Sequence, residues 1–434
     1  MRTAAITCAV LWALAACNAT NTGNPGLDAP RGIELVRSKL ERESDPNVPD
    51  AEASQFGNDS RDFAFGLYRE LRGSDENLFY SPYSVSAALG MTYGGARSET
   101  KTEMANALRF TLGDEALHRV FNATGLALTK RAEEQPKSSE GPAGGTGFEL
   151  DVVNAAFLAK DMTFVDDYLD LLAVNYGAGL YRADFGSPEQ QRLAINDWVA
   201  ERTRTRIQGL LPGGSITQYV VCVLVNAIYF KASWLEPFDP KLTETATFHS
   251  PAGDREVQMM NDRTALQYMR GEGYAALSLP YVSPSVRMLF ILPDEGRFGD
   301  FEAGLDRARF DEATSALSEH DVRLKVPKFS FEFEVKLKDT MKALGMNLAF
   351  SNSGADFSGL AGRPGEIWVD GIYHKAFVAL DEQGTEAAAS TAVVFVAESA
   401  KPQADFFLDR PFLFAIYDEP TGQILFIGRL LDPG

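Results

Sequence analysis

Glu382-Gln383-Gly384-Thr385-Glu386-Ala387-Ala388-Ala389-Ser390-Thr391, followed by Ala392-Val393-Val394-Phe395-Val396-Ala397, is the stretch on which the reading of this 434-residue chain turns. It opens like an acidic hinge and continues as a small-residue run able to become a strand. A surface loop is richer in Pro, Asn, Asp and Gly, and a buried strand seldom begins with polar residues around a glycine. In an extended chain, side chains alternate between faces. One face carries Thr385, Ala387, Ala389, Thr391, Val393 and Phe395 and grows more apolar along the run; the other begins with Glu386, which can stay in water. Gly384 has access to backbone angles closed to other residues. The segment suits a loop that can turn into a strand. A plain surface hairpin arm is the simpler alternative. A permanent central strand fits less well, because consecutive small residues pack weakly.

The rest of the chain narrows what such a device serves. At 434 residues and 45% hydrophobic, it can bury a large core. With 41 basic and 60 acidic residues, the net charge is -19, which repels polyanions and argues against a nucleic-acid partner. The four histidines, His118, His249, His320 and His374, lack zinc-ligand spacing. The chain has no nucleophile elbow, phosphate loop or dinucleotide fingerprint. Asp166-Asp167 diverge as neighbours on a helix and read as solvated. No catalytic residues, cofactor or metal are expected, and the chain reads as a non-enzyme.

Residues 1–17 are a different kind of text. Arg2 precedes a nearly continuous apolar run, Ala4 to Ala16, which closes with Leu14-Ala15-Ala16-Cys17. This reads as a secretory signal ending at a lipoprotein processing site, with Cys17 lipidated and inserted into a membrane. The expected location is the bacterial envelope, on the outer membrane or cell surface, with the domain facing the periplasm or exterior, or released extracellularly. Cys222 is then the one cysteine left in the mature body, in the apolar run Tyr219 to Val225, and reads as core packing.

Residues 18–59 read as a flexible tether, and 60–434 as a single domain. Folding is expected to begin near Ser60, where Phe63, Leu67, Tyr68 and Leu71 approximate a helical stripe. A helix is expected from Pro82 to Leu89, with Pro at its first position. Residues 131–147 form a low-complexity insert without apolar side chains to offset ordering. Helices concentrate early and short apolar strands late, which predicts an α+β fold.

Several separated motifs make the chain resemble a serpin from about Ser60 to Pro433: Asn77-Leu78-Phe79-Tyr80-Ser81-Pro82-Tyr83-Ser84-Val85, Leu224 to Trp234, Phe357-Ser358-Gly359-Leu360, His374-Lys375-Ala376, the Glu382 to Thr391 hinge, and Arg410-Pro411-Phe412-Leu413-Phe414-Ala415-Ile416. The resemblance implies three β-sheets, about nine helices and an exposed reactive loop over about 382–405. It implies a monomeric suicide inhibitor of serine, or alternatively cysteine, proteases, which traps the acyl-enzyme by inserting its cleaved loop into the main sheet. A noninhibitory serpin-like binding or structural protein, cleaved without trapping, is the other reading.

By the same resemblance, Glu382, Gly384, Thr385, Ala387, Ala389 and Thr391 form the hinge. Ser81, Ser84, Asn226 and His374 form a polar shutter beneath the opening sheet, and Trp234 marks where insertion starts. Seventeen residues counted inclusively from Glu382 reach Glu398, giving the scissile bond Glu398-Ser399. Counting back from Pro411 shifts this by about two residues and leaves Ala397 or Ala400 as alternative bait. Glu398 implies a glutamyl protease, because a buried carboxylate needs pairing. The alanines imply an elastase-like or subtilisin-like one.

Overall fold

The computed structural model describes residues 29–133, 148–385 and 401–434. Its first half is largely helical: β1 (Glu34–Val36), α1 (Asp50–Leu71), β2 (Leu78–Tyr80), α2 (Pro82–Gly95), α3 (Ser98–Leu108), α4 (Asp114–Glu133), β3 (Phe148–Ala159), α5 (Asp166–Tyr176), β4 (Leu180–Ala183) and α6 (Pro188–Arg202). Strands then dominate, with β5 (Cys222–Ser233), β6 (Glu244–Ser250), β7 (Gly253–Gly271), β8 (Tyr274–Pro280) and β9 (Val286–Pro293). After α7 (Phe298–Ala303) and α8 (Arg307–Ser315) come β10 (Ser318–Pro327), β11 (Phe329–Lys336), α9 (Lys338–Ala343), β12 (Gly371–Asp381), β13 (Gly384–Thr385), β14 (Gln403–Phe407), β15 (Phe412–Asp418) and β16 (Gln423–Leu430). The described residues thus hold nine α-helices in an α+β arrangement.

The strands form two hydrogen-bonded networks. The first has the order β1-β4-β3-β5-β13-β12-β11. The second runs β14-β10-β7-β8-β9-β15-β16-β2, with β6 on β7. The three sheets expected are distinct in this second network only as regions. The 19-residue β7 pairs with β6 and β10 along most of its length and with β8 at its end, so one strand belongs to both. An apolar layer that includes Phe230, Phe290, Phe412 and Phe426 fills the space between the networks. A second cluster lies among α1 to α5, and a third, with Phe157, Tyr181 and Trp198, under α6.

The folded body begins earlier than the expected boundary at residue 60. The apolar stripe of α1 starts at Phe56, which meets Phe121 edge-on with centroids 4.7 Å apart, and the helix begins at Asp50. Upstream, β1 pairs antiparallel with β4, Ile33 is buried in the third cluster, and Arg42 Nε donates to Asn122 Oδ1 at 2.7 Å. The expected tether over 18–59 is therefore corrected, since most of its second half is docked. Its hydrogen bonds run through backbone and single polar side chains, which leave no periodic pattern in sequence. The expected signal segment with Cys17, and residues 134–147, lie outside the described residues.

Candidate functional site

The centre of the first sheet is where the Leu224–Trp234, His374–Ala376 and Glu382–Thr385 segments converge. β5 and β12 pair directly and in parallel from Val223–Gly371 to Ile228–Ala376. Towards their C-terminal ends they are held apart by β13, antiparallel to both: Thr385 faces Ala232 on one side and Leu380 on the other. Gly384 has φ +146°, and a Cβ there would overlap the Ala232 carbonyl oxygen. That close approach admits glycine alone. The Thr385 side chain points inward, 1% exposed, its hydroxyl 2.8 Å from the Tyr281 hydroxyl.

Trp234 organises the entrance to this slot. It is 2% exposed and stacks on Tyr281, with centroids 4.7 Å apart at 11°. Its indole N–H donates to the Asp381 carbonyl at 3.1 Å and its backbone N–H to the Gln383 carbonyl at 2.8 Å. Phe238 N–H donates to the Glu382 carbonyl at 2.9 Å. The Glu382 carboxylate accepts from Thr243 Oγ1 and Lys328 Nζ, each at 2.8 Å. Burial would raise this carboxyl, but the Lys328 and Thr243 contacts hold it below its ordinary range. The turn at Glu382–Gln383 and the strand at Gly384–Thr385 therefore lie inside the expected loop limits, as does the start of β14. Ala387, Ala389, Thr391, Ala397, Glu398, Ser399 and Ala400 lie outside the described residues.

Farther down the β5–β12 pairing is a polar cluster in otherwise apolar surroundings. Ser81 caps α2, its hydroxyl accepting from Ser84 N–H at 3.1 Å, with Pro82 at the first helical position. Ser81 N–H donates to His374 Nε2 at 3.2 Å. A backbone N–H can only donate, so Nε2 carries the lone pair and His374 Nδ1–H donates to Asn226 Oδ1. Asn226 Nδ2 donates to Ser84 Oγ at 2.6 Å and to Asn154 Oδ1. Burial alone pulls His374 down to about 3, so the ring is neutral. Ser81, Ser84, Asn226 and His374 are each fully buried, and their hydrogen bonds tie α2, β5, β12 and, through Asn154, β3 into one unit.

The loop's far side is anchored separately. β14 pairs in parallel with β10, and exposed charges link the two segments, Arg323 with Asp405 and Lys401 with Glu319 at 3.0 Å, while Arg263 with Asp321 at 2.7 Å extends the row from β10 to β7. Cys222 is buried, and burial pushes its thiol up, which leaves it unreactive.

A family model described as serpin (serine protease inhibitor) matches residues 58–433. The chain belongs to the serpin family. A serpin-like protein of Thermococcus kodakarensis is 36% identical over 376 residues, covering 86% of this chain and 84% of its own. The native-state crystal structure of tengpin, a thermophilic serpin, superposes with a TM-score of 0.79 at 27% identity, over 92% of this serpin and all of tengpin. Human thyroxine-binding globulin, solved with thyroxine, gives a TM-score of 0.75 at 30% identity, covering 88% and 99% of the two chains. The family comprises inhibitors of serine proteases, together with noninhibitory members.

Asn154, Tyr281, Thr243 and Lys328 escaped the sequence reading. Asn154 left a usable signal, a lone amide in the strand Leu150 to Leu158. The other three leave none, since each reaches the hinge from a distant segment.

Proposed function

We propose that this serpin is an inhibitor that captures serine proteases by strand insertion, exported and lipid-anchored through Cys17 at the bacterial envelope. The observation that carries this reading is Thr385, already a strand residue between β5 and β12 with its side chain inward. Continuing that register after cleavage carries Ala387 to Phe230 and Val378, and Ala389 to Ile228 and Ala376. Thr391 then arrives opposite Asn226 and His374. Small inward side chains enter between β5 and β12, and the threonine hydroxyl arrives where the sheet's interior is polar. Roughly ten new backbone hydrogen bonds at about 1 kcal/mol each supply on the order of 10 kcal/mol, with apolar burial added. The protease is held as the acyl-enzyme while this serpin is consumed, so it acts as an inhibitor and not as a catalyst.

Glu398-Ser399 is the proposed scissile bond, with Ala397 and Ala400 as neighbouring bait. The partner is then a glutamyl endopeptidase, or an elastase-like or subtilisin-like protease; a cysteine protease remains within the mechanism's reach. Incubation with a panel of such proteases, read by intact mass and denaturing gels, should give a stable covalent complex and cleavage within 395–401. Rapid loop cleavage without trapped protease would remove the inhibitory reading. It would favour a binding role, for which thyroxine-binding globulin supplies the precedent among relatives. Glu398→Arg should move the preference to trypsin-like enzymes. An unchanged preference would shift the bait to a neighbouring bond.

A further inference from the structure

A cavity of about 170 Å³ lies beside Trp234, lined by the segment after β5 and by strands β7, β8 and β9. Trp234, Phe238, Leu266 and Leu279 give it a buried apolar lining. Its charged residues are Glu236, Asp262 and Arg287. Glu236 accepts a hydrogen bond from Thr264 Oγ1 at 3.2 Å, and Arg287 Nε donates to Ser278 Oγ at 2.7 Å. Among the described residues these three charged groups make no ion pair. Their neighbours differ: Arg263 pairs with Asp321, and Arg270 with Asp294 at 2.7 Å. Burial raises the Asp262 carboxyl, the Arg263 backbone N–H, which donates to its Oδ1 at 2.7 Å, partly offsets this, and the nearby Glu236 charge raises it again, so an added cation would favour the ionised form.

A ligand that satisfies all three groups has a positive end, a negative end and an apolar body. The volume limits its size, being below the roughly 300–1,000 Å³ of pockets for drug-sized ligands. We infer that the cavity is a binding site for a free α-amino acid with an aliphatic side chain. Its ammonium lies towards Glu236 and Asp262, its carboxylate towards Arg287, and its side chain on Trp234, Phe238 and Leu279. The groups that decide the assignment, Glu236, Asp262 and Arg287, take no part in the hinge and shutter hydrogen bonds described above, so it can be tested apart from protease capture. Trp234 nevertheless connects the two, since it forms a wall of the cavity and bonds to Asp381 and Gln383.

The test is calorimetric titration of the full-length protein with L-leucine, L-valine and L-methionine, set against isoamylamine, which lacks the carboxylate, and isocaproate, which lacks the amine. Saturable binding of at least one amino acid is expected, with both truncated analogues at least tenfold weaker. Glu236→Gln, at an exposed position, should weaken binding at least tenfold without moving the unliganded unfolding midpoint. Arg287→Met should do the same to the amino acid while leaving isoamylamine unaffected. No saturable heat up to about 10 mM, equal affinity for all probes, or indifference to both variants would each overturn the assignment.

Discussion

At Thr385 the slot between β5 and β12 is filled by a side chain that is 1% exposed and touches Tyr281, so the position has no room for a longer group and no water for a charge. Thr385→Arg is expected to keep the loop from seating. The covalent complex should fall several-fold in yield while cleaved, uncomplexed protein accumulates, read on denaturing gels. Asn154→Leu tests the polar cluster. It removes the acceptor of Asn226 Nδ2 and Ser84 Oγ and should cost about 1–3 kcal/mol in chemical denaturation. A cost within a few tenths would place Asn154 outside the cluster's energetics. Ser81, Ser84, Asn226 and His374 were legible because they sit in local motifs that could be matched as strings. Tyr281 and Lys328 were not, since their roles exist only once β8 and the segment before β11 are brought to the hinge.

Two buried histidines make the contacts between elements sensitive to pH. His374 joins β12 to α2, and His118 on α4 bonds Tyr176 of α5 at 2.8 Å. Burial lowers the first to about 3 and the second to about 4 from an ordinary value of 6.5. In both cases the unfolded chain binds the proton first. Their contribution to stability is thus present above pH 6.5 and is lost as pH falls towards the lowered values. Between pH 7 and pH 5 each should cost about 2 kcal/mol, at 1.36 kcal/mol per unit. Denaturant midpoints at the two pH values check this, and His374→Gln should remove about half of the difference. At this scale, strands with apolar runs and helices with proline starts were readable. The first ten residues of α1 and all of β1 were not, because a single Phe56 and an edge pairing three residues long produce no period.

For the molecule as a whole, residues 29–49 are a docked strap rather than a free leader. Arg42 donates to Asn122, Asn122 Nδ2 donates to the Glu43 carbonyl at 2.8 Å, and Glu43 N–H donates to the Val174 carbonyl at 2.9 Å. Deleting residues 1–48 should lower unfolding stability by roughly 2–4 kcal/mol, from a few hydrogen bonds of about 1 kcal/mol and the loss of β1. An unchanged midpoint would return the segment to a tether. The α+β class was legible from helices concentrated early and short strands late, and the helix count from the family resemblance. The merging of two sheet regions through β7 was not, because a strand serving two sheets reads like any other long alternating run.

The short contact of β5 with β12 gives the first sheet a built-in line of weakness. Parallel pairing is slightly less stable per residue than antiparallel pairing, and from Val223–Gly371 to Ile228–Ala376 the two central strands run in parallel. A chain entering in the direction of β13 runs against both of them. On the proposed insertion, opening the sheet there would break one parallel seam, and filling it would make two antiparallel ones. Like a perforation across a page, the pairing direction would set the place of parting before any force arrives.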